Sequence, residues 1–218
     1  MEGIPLTPIE PRMQTPQPAA LEEFLDIPPD ETPELRGALL ENETLPAARL
    51  AELRVYQCRL EGCRLSGAVL RRAEFVDTVF DRCDLSGADL DGAYFSRCVF
   101  TGCKGVGARM QQAVLKNVRI ERCNFSMCDF TGAAFASVLV DDCDLSGAWL
   151  TECRHRQLEL RQVKLCSASL FHTPLKGLDL TGCHIDDITV AAEDLRGVIV
   201  DTWQAAGLAK LLGVVVKG

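Results

Sequence analysis

From Leu60 to Val200 every fifth residue is large and apolar, and the register never slips. Of the 29 positions in this series 27 obey the rule; the exceptions are Gly105 and His155. Composition alone would supply roughly half that number. Two residues before the large one the residue is mostly small, as at Cys58, Cys63, Ala68, Ala73, Cys83, Ala88 and onward to Ala113. An α-helix repeats every 3.6 residues and cannot keep a strict period of five on one face. A flat strand alternates with period two. A period of five requires a short extended piece and a turn, repeated, which is one side of a solenoid.

The cysteines give the number of sides. Cys63, Cys83, Cys103, Cys123, Cys143 and Cys183 are spaced by multiples of 20, with Val163 in the gap. Ala73, Ala93, Ala113 and Ala133 form a second column with that spacing. Twenty residues is four pentapeptides, so one coil has four sides. Phe75, Phe95 and Phe135 then stand in one column of large residues on the axis. Coils stacked at the inter-strand spacing, about 4.8 Å, give a seven-coil rod of about 35 Å.

Segments such as CDLSGADLDGAYF (83–95) and CDLSGAWL (143–150) resemble the pentapeptide-repeat family, whose pattern is A-(D/N)-L-x-x. The resemblance covers about 56–200 and implies an all-β fold, a right-handed four-sided parallel β-helix. CKGVG, TPLKGLDLTGC and DTWQAAGLAKLLGVVV look like a bacterial subgroup of that family with no assigned function.

The ends differ from the repeat. Eight of ten prolines lie in residues 1–33, which are acidic and poor in aromatics, so this stretch reads as disordered or loosely held. Residues 34–55 read as a cap or an irregular coil. TLPAARLAEL suits a short helix capped by Thr44 with Pro46 in its first turn. Leu45, Leu50 and Val55 equally fit the five-residue register of an extra coil. In 201–218, Asp201 and Gln204 resemble a capping box. WQAAGLAKLL reads as a helix ended by Gly213, and Val214–Val216 as a short strand. Trp203, Leu208, Leu211 and Leu212 either cover the last coil or form a homodimer interface. The resemblance favours the second option, because gyrase-binding members dimerise through a similar helix.

Little in the chain promises catalysis. The 11 cysteines include no CxxC pair. Ten occupy the small inward slot, where cysteine acts as a small hydrophobe. A column of parallel thiols is unlike a tetrahedral zinc site. Cys166 alone lies off the slot and is expected to be the most reactive thiol. His155, His172 and His184 have no spaced partner for acid–base work; His155 reads as a tolerated neutral ring or the mark of an irregular coil, and Gly105 as a kink or bulge. Phosphate-loop, nucleophile-elbow and dinucleotide fingerprints are missing. The expectation is a non-enzymatic chain without cofactor or metal. The start has no basic-then-apolar leader and no apolar run approaches about 20 residues, so a cytoplasmic location is expected, away from membranes.

Net charge is -8. Residues 1–55 hold 11 acidic and 4 basic residues, which leaves 20 and 19 in the remainder. The rod itself is nearly neutral. Turn positions place Arg97, Lys116, Arg156, Lys176 and Arg196 in a basic ridge, and Glu61, Asp81, Glu121, Asp141 and Asp142 in an acidic one. Either ridge is a candidate partner face. The leading expectation is a rigid interaction or scaffold protein with an unidentified protein partner. The alternative, implied by the resemblance, is a DNA mimic that binds DNA gyrase and alters supercoiling or quinolone sensitivity. Against it, DNA carries one charge per about 1.7 Å, which a sparse acidic ridge does not match. The net charge also disfavours direct nucleic-acid binding.

Overall fold

The computed structural model describes residues 6–20, 32–44, 50–211 and 213–217. It is a four-sided parallel β-solenoid whose walls we number in chain order. Face 1 carries β2 (Glu34–Arg36), β4 (Arg54–Tyr56) and β6 (Glu74–Val76). Face 2 carries β3 (Ala38–Glu41), β5 (Arg59–Glu61) and β7 (Val79–Asp81). From the next coil on, single strands bend around the corner and serve both faces: β8 (Tyr94–Thr101), β9 (Val114–Glu121), β10 (Ala134–Asp141) and β11 (Arg154–Arg161). From β2 onward the ladders are parallel with a register of 20 residues, as in Phe75↔Phe95 and Phe95↔Leu115. Faces 3 and 4 are joined by single bridges, such as Arg64↔Asp84 and Val69↔Asp89.

The pentapeptide explains this geometry position by position. The large central residue points to the axis and is buried, as at Leu60, Leu65, Leu70 and Phe75. The small residue two places earlier is also inward, and its size lets neighbouring walls meet. On faces 3 and 4 the Asp or Asn between them accepts a hydrogen bond from a backbone N–H two residues on. Asp84 and Asp144 do so at 2.9 Å from Ser86 and Ser146. This Asx turn favours the corner. The second residue after the large one lies in the left-handed region, where Gly67 and Gly87 are at home.

Aromatic rings fill the middle of the axis. Phe75 stacks on Phe95 at 5.0 Å between centroids, and Phe80 on Phe100 at 4.5 Å. The two columns meet edge to face, Phe75 to Phe80 at 5.3 Å. Such pairs add about 0.5–1.5 kcal/mol beyond their burial. Phe135 lies lower in the first column and is also buried. Gly105 makes neither kink nor bulge. Lys104 bridges both Asp84 and Asn124, so the register is intact, and the ring of Phe125 occupies the vacated space.

An irregular coil does occur, one level beyond β11. No bridge joins β11 to the chain at 174–181, while Lys164↔His184 and Ser169↔Thr189 hold faces 3 and 4 together. Two local causes are visible. Pro174 has no N–H to give to the ladder. The inward slot of face 2 also enlarges along the chain, from Cys58, Thr78 and Cys98 through Val118 and Val138 to Leu158 and Leu178. The wider residues splay the wall and leave an apolar cavity of about 30 Å³. His155 sits at this seam, half buried, with Nε2 2.5 Å from the carbonyl oxygen of Pro174. That contact makes Nε2 the protonated nitrogen.

Both ends depart in part from expectation. Solenoid pairing already begins at β2 and β3, with Leu35, Leu40 and Val55 in the core, so this part of 34–55 is a coil. The helix expected from Thr44 falls largely on 45–49, outside the described residues. The loose tail expected for 1–33 does not hold for residues 6–20. They lie lengthwise on the rod, and β1 (Gln17–Pro18) pairs with β3 and closes that sheet edge. At the other end α1 (Thr202–Leu211) covers the last coil. Its capping box is formed: Gln204 N–H donates to Asp201 Oδ1 at 2.9 Å, and Asp201 N–H to Gln204 Oε1 at 3.0 Å. Val214–Val216 form no strand; the Val214 N–H turns back to the Ala209 carbonyl of α1 at 3.1 Å. No described helix is long and apolar enough to cross a membrane.

Candidate functional site

Parallel register at 20 residues turns each outward position into a lengthwise row. The acidic row is real: Glu41, Glu61, Asp81, Thr101, Glu121, Asp141 and Arg161 are direct ladder partners. It is not a bare acidic face. Arg59 pairs with Glu61 and with Asp81, and Arg119 with Glu121 at 3.0 Å. Asp142 lies exposed at the adjoining corner. The basic row also exists, with Lys116, Ala136 and Arg156 in register and Lys176 and Arg196 further on, all four cations exposed. Arg97 is offset by one position, and its charge is committed to Asp77 through two hydrogen bonds of 2.6 and 2.7 Å. Burial alone would raise the Asp77 carboxyl. Arg97 and the Arg12 N–H outweigh it and hold the group below the ordinary carboxylate value.

Sequence reasoning missed the next row on face 2: Leu39, Arg59, Val79, Val99, Arg119, Leu139 and Glu159. It mixes apolar and charged residues and points outward, yet Val99 is only 8% and Leu139 only 5% exposed. Residues 6–19 account for the cover. Leu6 N–H donates to Glu159 at 2.8 Å, and Glu10 pairs with Arg119 at 2.6 Å. Arg12 N–H donates to Asp77 at 2.8 Å, and its carbonyl accepts from Gln57 at 3.0 Å. Pro8, buried, falls between the first two anchors in the chain, as Leu139 falls between their partners Glu159 and Arg119 in the row. Reading outward positions every 20 residues would have exposed this row in the sequence.

The second surface is the C-terminal end. Leu208 is buried against the rod, and the Gln204 Nε2 amide donates to the carbonyls of Leu180 and Cys183 at 2.7 and 2.8 Å. Those residues fix α1 to its own coil, so Leu208 does not face a partner. Trp203 and Leu211 point outward, 88% and 50% exposed, and Leu212 lies outside the described residues. A cleft of about 520 Å³ separates α1 from the last coil.

The thiols pack. Cys63, Cys83, Cys103, Cys143 and Cys183 each donate to a carbonyl one coil back, as Cys83 does to Leu60 at 3.3 Å; Cys123 donates to Glu121 at 3.2 Å within its own coil. Burial pushes Cys98 to about 12 and Cys153 to about 11. Cys166 is partly exposed, with Sγ 3.9 Å from the Asp186 carboxylate. Among the described residues no group of three or more metal-ligating side chains is assembled.

Two family models match the chain, a pentapeptide repeat region over 73–150 and eight copies of pentapeptide repeats over 48–87. No curated protein matches. Among solved structures, a trypsin-treated variant of QnrB1, a plasmid-mediated fluoroquinolone resistance protein, is similar at 21% identity and a TM-score of 0.48, over 85% of this chain and 99% of that one. HetL, a protein involved in heterocyst differentiation regulation from the cyanobacterium Nostoc, is 19% identical with a TM-score of 0.40, over 76% and 91%. Rfr23 from the cyanobacterium Cyanothece is 16% identical with a TM-score of 0.28, over 77% and 91%. With the unbroken five-residue register and the four-sided coil, the two family matches identify residues 48–150 as a pentapeptide-repeat region.

Proposed function

We propose that the protein is a non-enzymatic interaction rod that binds another protein along a flat wall. The observation that carries this reading is the lengthwise packing of an extended polypeptide, residues 6–19, on face 2. A wall that holds one extended segment through apolar and charged contacts has the chemistry to hold another. The test is in-cell cross-linking of the tagged full chain against an Arg59→Glu/Arg119→Glu variant. A protein recovered with the first and lost with the second is expected. Identical recovery from both chains overturns the reading.

A second reading is a gyrase-directed DNA mimic that acts as a homodimer. The lengthwise acidic row and the exposed Trp203 and Leu211 favour it. The arginines threaded through that row weigh against it, since they cancel the dense negative charge a duplex presents. A supercoiling assay with and without a quinolone, run beside light scattering, tests it. Micromolar inhibition by a dimeric species supports the mimic; an inert monomer ends it.

A further inference from the structure

The N-terminal segment is an unusual covering for face 2. An outward-facing apolar side chain on a solvated rod gains nothing unless something lies on it. Leu139 and Val99 are covered, and the cover contains Pro8, Pro11, Pro16 and Pro18. Proline holds a chain extended and lowers the entropy lost on docking. The anchors are complementary in kind: a carboxylate on Arg119, backbone N–H groups on Glu159 and Asp77, and a backbone carbonyl on Gln57. Backbone ladder bonds appear only at the end, where Gln17 and Ala19 donate to Gly37 and Leu39 at 2.8 and 3.1 Å. Beside the segment a groove of about 380 Å³ stays open, bounded by Glu10 and Met13 on one side and by Arg59, Val79, Val99 and Arg119 on the other. The segment thus occupies the row without filling the wall.

We propose that the row Val79–Val99–Arg119–Leu139 is a peptide-binding groove for an extended, proline-bearing segment with a carboxylate, and that residues 6–19 are its built-in occupant, displaced when a partner protein supplies such a segment. The proposal rests on the interaction-rod reading above. It assigns the binding face and the chemistry of the partner: proline over Leu139, and an acidic residue two places on against Arg119. The tether makes the built-in segment a strong competitor, at a local concentration on the order of millimolar. Access to the groove is therefore controlled by how well 6–19 holds.

The test uses the full-length chain and a fluorescent peptide with the sequence of residues 6–19, read by anisotropy. A Pro8→Asp/Glu10→Gln chain, whose own segment is weakened, is expected to bind the peptide at least about tenfold more tightly than the unmodified chain, because the tethered competitor is removed. Adding Arg119→Glu, a surface change whose folding is checked by thermal melting, abolishes the gain. Equal affinity in the unmodified and weakened chains overturns the proposal, as does a gain that survives Arg119→Glu. A weakened chain that becomes a dimer and takes up no peptide shows that a second copy fills the groove, and also overturns it. Peptide binding as expected, with no Arg119-dependent partner in cells, leaves the groove standing and removes the interaction-rod reading. An Arg119-dependent partner in cells with no gain in peptide binding overturns the groove and leaves the interaction-rod reading standing.

Discussion

Phe125 stands where a side chain at Gly105 would be: a Cβ built on Gly105 would lie 2.3 Å from the Phe125 ring. The pair is a large-for-small exchange between successive coils. Gly105→Ala should therefore destabilise by about 1–3 kcal/mol through overpacking. Phe125→Leu in the same chain should recover part of that loss, because contacting residues are coupled. Urea melts of the two single variants and the double variant check this. Additive losses would mean that the pair does not share the space.

Thr173 fills a slot that alanine occupies from Ala73 to Ala133 and cysteine at Cys153 in the same column. Its hydroxyl donates to the Leu150 carbonyl at 2.6 Å and accepts from the Cys153 N–H at 2.8 Å. Thr173→Val should cost about 1–3 kcal/mol, since both backbone groups lose their partner in a buried place. Thr173→Cys should cost less, because thiols make the same donation in neighbouring coils, as Cys153 does to Phe130 at 3.1 Å. Equal losses in thermal unfolding would show that slot size, and not the hydrogen bonds, decides.

Asp77 pairs with Arg97 on the rod and accepts from the Arg12 N–H of the N-terminal segment, and Glu159 likewise pairs with Arg161 and accepts from the Leu6 N–H. Burial raises both carboxyls, but these partners outweigh it and hold both below their ordinary values. A folded-state value below the unfolded one adds stability that is present above about pH 4 and is lost as pH falls through the folded value. Denaturation midpoints followed from pH 7 to pH 3 should drop, and the drop should be shallower in an Asp77→Asn/Glu159→Gln chain. Superimposable pH curves would remove these carboxylates from the account.

Ten of the eleven cysteines are buried and Cys166 is partly exposed. A maleimide reagent at neutral pH should label one thiol in the native protein and eleven in denaturant. A Cys166→Ser chain should label at none until it unfolds. Rapid native labelling of a second site would show that a coil opens locally.

The rod was legible because one residue in five carries the instruction and repeats it without interruption. Leu60, Cys63 and Phe75 each identify a column, and the spacing of 20 follows from them alone. The seam at His155 was only hinted at. The sequence shows an odd residue in an apolar series, but the splaying also needs Pro174 and the gradual swelling from Cys58 to Leu178, which only a three-dimensional register lines up. The docked segment was missed for a different reason. Pro8 and Glu10 look like residues of a free tail until Leu139 and Arg119 are known to share one outward row. Composition describes what a segment is made of and is silent on the wall it meets.

The seam beyond β11 also has a mechanical meaning. A rod loaded along its length yields first where fewest rungs cross, and here two of four walls carry no bridge. Tension applied between the two ends should peel off the C-terminal coils with α1 as one unit, leaving the phenylalanine-stacked body intact. The molecule behaves as a stiff shaft joined to a detachable tip.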